Sequence, residues 1–408
     1  MTAREYPVFT VTPKAERSLR AGHPWVYGEE VTAVEGAYQN GDIVDVVSNK
    51  GRYLGTGWVN DHSKIRVRII SRNANDTFDE AFFRRRVCYA LNYRKTVMGP
   101  VDYRCCRLIF GEADQFPGLT VDRFENILVT QVLSLGMERR KDWVYRALVE
   151  LLREDGEQID AIYERNDVAI RTLEGLEQGK GFYQMEGLRT DLSGHVTITE
   201  NGIKYDVDYI EGQKTGFFLD QKYNRQAAAK LARGRRVLDC FTHTGAFALN
   251  AAAAGAEHVT AVDVSAFALE LAAENGKRNG LTNLDYKCAD VFDLLTEMAK
   301  EKKCDYDYII LDPPAFTKSR ATAKNAYHGY KEINRKAMRL LPRGGYLATC
   351  SCSHFMTDEM FRKMLQEAAL DAGVTLRQIE ARQQAPDHPI LPEVPETDYL
   401  KFYLLQVV

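Results

Sequence analysis

The stretch that decides the fold is VLDCFTHTGAFAL, at residues Val237–Leu249. Its pattern predicts a buried strand that ends at an acidic residue, Asp239, followed by a tight turn and a helix that Gly245 opens. This order is typical of a nucleotide site. Phe241 and His243 stand where the dinucleotide fingerprint has glycine, so a ligand without a pyrophosphate fits the turn better.

The chain on both sides of this stretch predicts the rest of the domain. Apolar strands alternate with amphipathic helices from RRVLDCF to the end of DEMFRKMLQEAALDAG, which indicates an α/β domain with a parallel, doubly wound sheet. The last two strands, in LRQIEARQQ and YLKFYLLQVV, have no helix between them. We therefore expect them to pair antiparallel at one edge of the sheet.

Acidic residues end three consecutive strands of this predicted sheet. Asp263 ends the second strand, about twenty residues after the first turn, where a carboxylate can accept the hydroxyls of a ribose. Asp290 ends the third strand, where an adenine edge could be recognised. Each Asp alone could instead cap the helix that follows it. Taken in series with Asp239, they favour S-adenosylmethionine, which has a cationic sulfur, a ribose and an adenine.

The fourth strand ends in IILDPPAF, with Asp312 and Phe316 in a loop held by two prolines. Such a loop can hold a flat ring. The pattern D-P-P-[YF] is familiar from enzymes that methylate an amino group of a base, so Asp312 and Phe316 by themselves suggest amine methylation.

The fifth strand ends in LATCSCSHFM, which places Cys350 and Cys352 on one face, with Cys352 nearer the carboxyl end. Carbon 5 of a pyrimidine is a poor nucleophile until a thiolate adds to carbon 6, so a cysteine here suits carbon-5 methylation. Most isolated cysteines are small core residues, and we favour that interpretation for Cys350. Cys352 lies between two serines at a strand end, which favours a chemical role.

The preceding chain divides into two smaller parts. In residues 1–73, the segments YPVFTV, GDIVDVVS, RYLGTGWVN and KIRVRII predict the short alternating strands of a small β-barrel, and residues 74–188 predict a small α+β domain. The α/β domain, opened by a β-hairpin, then covers residues 189–408. The segment EGQKTGFFLDQ lies just before the first parallel strand, and its phenylalanines could cover an adenine or a methionine group, or simply pack in a linker.

Charge and composition restrict the partners. The 408 residues carry 54 basic and 57 acidic side chains, for a net charge of −3, so a polyanion would have to bind at a local basic surface. Basic clusters often mark solvated faces, but they are also candidate RNA phosphate contacts. The candidates are Lys64, Arg66, Arg68, Arg84, Arg85, Arg86, Arg94 and Lys95.

The remaining features exclude several classes of protein. Eight cysteines are too few for a disulfide scaffold in a chain of this length, and no Cys/His spacing predicts a metal site. No apolar stretch approaches the roughly 18 residues of a membrane helix, and no signal peptide is evident. We therefore expect a cytoplasmic protein that has no membrane association.

Several of these motifs together resemble the ribosomal RNA large subunit methyltransferase I family. The similarity runs along nearly the whole chain. It is carried by GHPWVYGEEV, FPGLTVDRF, YERNDVAIRTLEGL, EGQKTGFFLDQ, LDCFTHTGAFAL, ILDPPAF, TCSCSHFM and DHPILPEVPETDYLKFYLL.

The resemblance implies a PUA domain for the barrel, a central α+β domain, and a class I (Rossmann-like) methyltransferase domain with a mostly parallel, seven-stranded sheet. It implies S-adenosylmethionine as cofactor, a cytosine of large-subunit ribosomal RNA as substrate, and 5-methylcytosine as product. We expect a cofactor site that comprises Phe218, Asp220, Asp239, Phe241, Thr242, Thr244, Gly245, Asp263, Val264, Asp290, Asp312 and Pro313.

The resemblance also implies the nucleophile. The family's S-C-S pattern matches Ser351, Cys352 and Ser353, so the nucleophile is expected at Cys352. Our own hypothesis adds that Asp312 hydrogen-bonds the polar edge of the base and supports its transient protonation. Ala246 departs from the family, which usually has a second glycine there. The proline loop lacks the cysteine found in many RNA cytosine-5 methyltransferases, which leaves the acceptor of the carbon-5 proton unassigned.

Two other interpretations stay open at this stage. The protein could methylate a base nitrogen through the DPPAF loop, or it could be a non-catalytic RNA-binding assembly factor with a vestigial pocket. The sequence is compatible with a homodimer and does not fix the oligomeric state.

Overall fold

The computed structural model describes residues 5–301, 304–317 and 322–408. The chain forms two compact units, and both are assembled from separate segments. The first comprises the residues up to Ile198, Val207–Leu219 and Pro386–Thr397, and the second comprises Thr199–Asp206, Asp220–Ala385 and Asp398–Val408. The two smaller domains that the sequence predicts thus lie together in the first unit, and the division into three domains stays a prediction.

The first unit begins with a six-stranded sheet in the order β2-β6-β5-β4-β1-β3. Its elements are β1 (Val8–Val11), α1 (Pro13–Arg20), β2 (Trp25–Tyr27), β3 (Val31–Glu35), β4 (Ile43–Ser48), β5 (Tyr53–Val59) and β6 (Ile65–Ser71). Phe9, Val26, Val44 and Val67 are buried in the core of this sheet. The apolar alternation predicts β1, β4, β5 and β6, but it misses β2, which has three residues, and β3, which is largely exposed.

The rest of the first unit packs helices against a five-stranded sheet in the order β11-β10-β9-β8-β7. Its elements are α2 (Glu80–Val97), β7 (Cys105–Phe110), β8 (Leu119–Phe124), β9 (Ile127–Val132), α3 (Leu135–Glu138), α4 (Lys141–Glu154), β10 (Ala161–Asn166) and β11 (Gly179–Phe182). Asp79 caps α2 by accepting a hydrogen bond from the Phe82 amide at 2.9 Å. Two further strands, β12 (His195–Glu200) and β13 (Ile203–Asp208), form a two-stranded sheet at the predicted hairpin.

The second unit contains the sheet that positions the site. Its strands are β14 (Arg236–Cys240), β15 (His258–Asp263), β16 (Leu284–Cys288), β17 (Tyr308–Leu311), β18 (Tyr346–Ser351), β19 (Leu376–Arg382) and β20 (Lys401–Val407). They lie in the order β16-β15-β14-β17-β18-β20-β19. The five strands from β14 to β18 are parallel, and β20 pairs antiparallel with both β18 and β19. The structure confirms the predicted α/β class and the antiparallel edge.

Helices and buried side chains cover both faces of this sheet. The helices are α5 (Lys222–Ala229), α6 (Ala246–Ala253), α7 (Ala266–Arg278), α8 (Val291–Glu301), α9 (Ala323–Leu340) and α10 (Asp358–Ala372). Successive strand residues point to opposite faces. Leu238 accordingly joins the core that α8, α9 and α10 cover, whereas Val237 joins the core that includes α5 and α6. Within the described ranges, none of the helices combines the length and apolar character of a membrane span.

Candidate active site

Three acidic side chains lie at the carboxyl ends of neighbouring parallel strands. Asp239 lies one residue before the end of β14, Asp263 ends β15, and Asp312 directly follows β17. Because β14 pairs with β15 on one side and with β17 on the other, the order of the strands reverses there. Ligands of open α/β sheets bind at such a switch point. The structure thus brings these predicted site residues to one edge of the sheet.

Asp239 is completely buried, and only one of its two carboxylate oxygens accepts a hydrogen bond from the described residues. Its Oδ2 accepts a hydrogen bond of 2.5 Å from the Thr242 hydroxyl, whereas its Oδ1 accepts none from any residue that the structure describes. Burial raises the pKa of the carboxyl to about 7, and the negative charge of Asp312 adds to the shift. A buried oxygen without a donor is costly unless a ligand supplies one. Asp239 is therefore suited to receive a polar or cationic ligand.

The turn after β14 has an unusual backbone. Phe241 and His243 have φ values of 63° and 51°, and Gly245 has a φ of 84°. A left-handed conformation costs a residue other than glycine about 1–2 kcal/mol, and such strain is concentrated at functional sites. At Gly245 a Cβ atom would lie 2.8 Å from Leu249 Cδ1 and 2.9 Å from the Ala272 Cβ. Only glycine therefore fits this position, directly before α6.

The Asp263 side chain, at the end of β15, is hydrogen-bonded to the turn that follows β14. Its Oδ2 accepts a hydrogen bond from the His243 amide at 2.9 Å, and its Oδ1 accepts one from the Ser265 amide at 2.9 Å. The cap of α7 is Ser265, whose hydroxyl accepts from the Ala268 amide at 3.2 Å. Each Asp263 oxygen retains a lone pair, so the carboxylate can still accept the hydroxyls of a ribose.

Asp290 is exposed and caps α8. Its Oδ1 accepts hydrogen bonds from the Phe292 amide at 2.8 Å and from the Asp293 amide at 3.2 Å. The structure thus displays the capping role that the sequence leaves open as an alternative. An adenine contact through the other oxygen stays a prediction.

Asp312 is held by a polar network that the sequence motifs do not reveal. Its Oδ1 accepts a hydrogen bond of 3.1 Å from Gln221 Nε2, and Gln221 in turn accepts one of 2.7 Å from Asn224. Burial and the neighbouring charge of Asp220 raise the pKa of Asp312 to about 7. Asp220 is itself fixed, because its Oδ2 accepts a hydrogen bond of 2.6 Å from the Tyr399 hydroxyl.

The two cysteines of the fifth strand differ in their surroundings. Cys350 is completely buried within β18, where burial and the negative charge of Asp312 raise the pKa of its thiol well above the ordinary value. Cys352 lies just past the end of the strand and is half-buried. Neither forms a disulfide. The half-buried thiol of Cys352 is open to a ligand at the strand end, whereas the thiol of Cys350 is enclosed next to Asp312.

The other predicted cofactor residues lie in varied environments. Val264, just after β15, is 73% exposed, and Thr244 is half-buried with its hydroxyl 3.4 Å from His243 Nδ1. Pro313 is buried beside Asp312. Phe218 lies in the first unit, where the Lys214 ammonium is 4.8 Å from the centre of its ring. Their contacts with a cofactor stay predictions.

Two buried residues close to Cys352 are missed by the sequence reasoning. Lys401, the first residue of β20, donates hydrogen bonds to the carbonyls of Ser353 at 2.6 Å and Tyr399 at 2.8 Å. Tyr330 is buried in α9 with its ring 4.5 Å from that of Phe316. A polar residue in an otherwise apolar strand, as in YLKFYLL, is the signal that could have identified Lys401.

Several of the predicted RNA contacts are occupied by carboxylates of the first unit. Arg68 pairs with Glu174 at 2.8 Å and with Glu112 at 3.4 Å, and its side chain is only 12% exposed. Arg94 is completely buried and pairs with Asp114. These contacts favour a structural role for Arg68 and Arg94 over the predicted contact with a phosphate.

The other basic residues are closer to solvent. Four of them form ion pairs: Arg66 with Asp61, Arg84 with Glu154, Arg85 with Asp76, and Lys95 with Asp155. The Arg86 guanidinium instead lies over the Phe82 ring, 4.5 Å from its centre. Burial lowers the pKa of Arg86 to about 10. Lys64 is exposed and makes no ion pair with the described residues. Among these side chains, Lys64 is the best placed for a phosphate.

Comparison with known families defines the class of protein. A family model described as S-adenosylmethionine-dependent methyltransferase matches residues 183–405, and one described as PUA-like domain matches residues 9–72. Together with the acids at the switch point, these matches define a methyltransferase that uses S-adenosylmethionine and carries a PUA-like domain.

The chain belongs, more particularly, to the ribosomal RNA large subunit methyltransferase I family. It is 40% identical to the member from Pseudoalteromonas atlantica, over 98% of this chain and 99% of that protein. It is 42% identical to the member from Shewanella denitrificans, over 97% of this chain and 98% of that protein. The resemblance in the motifs is thus confirmed along the chain.

Solved structures confirm the fold. A protein assigned as a SAM-dependent methyltransferase from Streptococcus mutans is similar with a TM-score of 0.81 and 22% identity, covering 98% of this chain and all of that one. Another, described as a methyltransferase complexed with SAH, has a TM-score of 0.82 and 22% identity over 98% of this chain and 100% of that chain. At this level of identity the similarity concerns the fold.

Proposed function

We propose that this protein methylates carbon 5 of a cytosine in large-subunit ribosomal RNA, with Cys352 as the nucleophile. The observation that carries the proposal is the half-buried Cys352 thiol at the end of β18, the strand beside β17 and its Asp312 loop. The register pairs Leu311 with Thr349, so the two strand ends lie side by side. The curated relatives are named as ribosomal RNA methyltransferases, which supports the class of substrate.

The site residues fit S-adenosylmethionine as the cofactor. Asp239 has a buried oxygen without a donor, and Asp263 lies at the end of the neighbouring strand, where it would hold the ribose. Gly245 keeps the turn free of a side chain. When bound, the cofactor supplies the methyl group.

The chemistry assigned to the protein uses two side chains. The Cys352 thiolate adds to carbon 6 of the cytosine, and the ring takes up a proton at nitrogen 3, so that carbon 5 becomes nucleophilic. Asp312, whose pKa burial and Asp220 raise to about 7, can donate that proton near neutral pH. After carbon 5 is methylated, a solvent base takes its proton, and the electron pair of that C–H bond forms the double bond to carbon 6 as the bond between carbon 6 and sulfur breaks. The Cys352 thiolate is thereby released, and nitrogen 3 returns its proton to Asp312.

The base must leave its stack to reach Cys352, because carbon 6 and nitrogen 3 of a base stacked in a duplex are not accessible to side chains at the end of β18. An unpaired or flipped cytosine is therefore the substrate. The PUA-like segment and the exposed Lys64 would hold the RNA without reading the target base.

The test is methyl transfer from labelled S-adenosylmethionine to large-subunit ribosomal RNA, with the product nucleoside identified by chromatography. We expect 5-methylcytidine from the wild type, none from Cys352→Ala, and normal activity from Cys288→Ala, which removes an exposed thiol. A methylated nitrogen, or an active Cys352→Ala, would favour base-nitrogen chemistry through the DPPAF loop. Failure to bind S-adenosylmethionine would indicate an RNA-binding factor without catalysis.

A further inference from the structure

A buried lysine lies behind the strand end that carries Cys352. Lys401 is 4% exposed, and its Nζ donates to the Ser353 carbonyl at 2.6 Å and to the Tyr399 carbonyl at 2.8 Å. It makes no salt bridge with a carboxylate in residues 5–301, 304–317 or 322–408. An ammonium group has three donors, so the two carbonyls do not exhaust it.

The strand register brings this ammonium group next to Cys352. β18 and β20 pair so that Ser351 is opposite Lys401, and the chain continues from Ser351 into Cys352 and Ser353. The Ser353 carbonyl that Lys401 binds therefore belongs to the residue directly after the cysteine. The charges that act on Lys401 come from Asp398, Cys352 and Asp358, so the thiol is within electrostatic reach.

Asp398 and Asp358 act on Lys401 without forming an ion pair with it, and the burial of a cation costs free energy that an anion in closer contact would offset. Burial lowers the pKa of Lys401 to about 8, so most of the molecules still carry the positive charge at pH 7. A thiolate is the anion that the reaction requires at this place, and a neighbouring cation favours thiolate over thiol. Tyr330 and Cys350 also interact electrostatically with Cys352, and neither carries a positive charge. His354 lies two residues further along the chain and is the other side chain there that can become a cation.

We propose that Lys401 is a positioning residue for the nucleophile: it holds the Ser353 peptide in place and stabilises the thiolate of Cys352. The inference rests on the proposed role of Cys352 as the nucleophile, and it identifies Lys401 as the residue that favours the reactive thiolate form. In this scheme Lys401 acts through the Ser353 peptide and the thiolate, and no contact with cofactor or base is assigned to it.

The test is the alkylation rate of Cys352 in the full-length protein between pH 5.5 and 9.5, with iodoacetamide as probe and peptide mass spectrometry to resolve each cysteine. Exposed Cys288 serves as the internal reference thiol. In the wild type we expect Cys352 to have a midpoint below the roughly 8.5 of an ordinary thiol. A wild-type midpoint at or above that of Cys288 would overturn the proposal, whatever the variants do.

The variants separate charge from packing. Lys401→Met is expected to raise the Cys352 midpoint by about one pH unit, which is roughly a tenfold loss of alkylation rate at pH 7, while Cys288 is unchanged. Lys401→Arg should retain the low midpoint. Lys336→Met is the control for the loss of a buried lysine, because Lys336 is also buried but binds Thr296, the Phe292 carbonyl and, at 2.6 Å, Glu332. An unchanged Cys352 midpoint in Lys401→Met would overturn the proposal.

The two hypotheses fail in different ways. Alkylation reports the coupling between Lys401 and Cys352 and does not depend on methyl transfer. If Cys352→Ala is inactive and Lys401→Met leaves the midpoint unchanged, only the role of Lys401 is lost. If Cys352→Ala stays active, the proposed function is lost, even where the midpoint moves.

Discussion

The Gln221 amide donates a hydrogen bond of 3.1 Å to Oδ1 of Asp312, across 91 residues of chain. This bond and the charge of Arg225 oppose the rise in the pKa of Asp312 that burial and Asp220 cause. Gln221 and Arg225 therefore limit the pKa of Asp312, the acid that is proposed to protonate the base. Since the pKa lies at about 7, small changes at Gln221 should alter activity within the physiological range of pH.

Gln221→Leu removes the donor and is expected to raise the pKa of Asp312. If protonated Asp312 is the active form, activity falls as the pH rises through this pKa, so the variant should lose activity at a higher pH than the wild type. The pH profile of single-turnover methyl transfer measures this. Gln378→Leu, in the exposed part of β19, is the control and should leave the profile unchanged. A profile that moves to lower pH would contradict the assignment of Asp312 as an acid.

Asp312→Asn tests the same acid through stability. The folded carboxyl has a pKa of about 7, against about 4 in an unfolded chain, so between these values the folded state binds more protons. The free energy of unfolding of the wild type therefore falls as the pH rises through this window. Asparagine does not titrate, so the Tm of the variant relative to the wild type should increase from pH 5 to pH 8, while methyl transfer drops about 100-fold.

The measurement for Asp312→Asn is thermal unfolding across this pH range without cofactor. Asp290→Asn is the control, since its side chain is exposed and asparagine also caps helices well. We expect no comparable trend with pH for that control. A relative Tm of Asp312→Asn that is flat or decreases with pH would contradict the raised pKa.

Gly245→Ala tests the turn that follows β14. The new Cβ would contact Leu249 and Ala272 at less than 3.0 Å, in addition to the cost of a φ of 84°. We expect a loss of about 2–4 kcal/mol in the free energy of unfolding, together with weaker binding of S-adenosylmethionine. Urea denaturation and calorimetric titration measure the two effects.

Gly255→Ala is the matched control for that experiment. Gly255 has a φ of 90°, but the nearest atoms to its Cβ lie 3.8 Å away on the flexible Arg233 side chain. Only the conformational cost of about 1–2 kcal/mol should appear, without a change in cofactor affinity. Equal losses in both variants would show that the close contacts at Gly245 are unimportant.

The positions of the acids were predictable, whereas their partners were not. Alternation of strands and helices places Asp239, Asp263 and Asp312 at one edge of a parallel sheet, because all parallel strands end on the same side. The contacts from Gln221 to Asp312 and from Lys401 to Ser353 join segments far apart in sequence, and they follow from strand order and register. No local pattern encodes either.

For Arg94, the charge of the side chain and its position in the helix point to different roles. Arg94 follows Val87 and Leu91 at helical spacing, on the face of α2 that is buried. The period of 3.6 residues thus placed it in the core, although its charge suggested an RNA contact. Its bidentate pairing with Asp114 depends on a residue twenty positions away, which the helix pattern does not include.

Arg94→Met and Lys64→Ala separate structural from RNA-binding cations in the first unit. Arg94 also donates to the carbonyls of Arg107 at 2.8 Å and Asp387 at 2.9 Å. Its loss removes a donor from both carbonyls and leaves the Asp114 carboxylate with the Phe110 amide but without its cation. We expect Arg94→Met to lower the free energy of unfolding by about 3–5 kcal/mol in urea denaturation.

Lys64→Ala should leave stability within about 0.5 kcal/mol, because the side chain is exposed and makes no ion pair within the described part of the chain. If Lys64 binds a phosphate, the variant should bind ribosomal RNA more weakly and reduce the slope of log affinity against log salt by about 1. Fluorescence titration at several salt concentrations measures this slope. An unchanged slope would show that Lys64 does not contact the RNA. An Arg94→Met variant that is stable and has a reduced slope would show that Arg94 does.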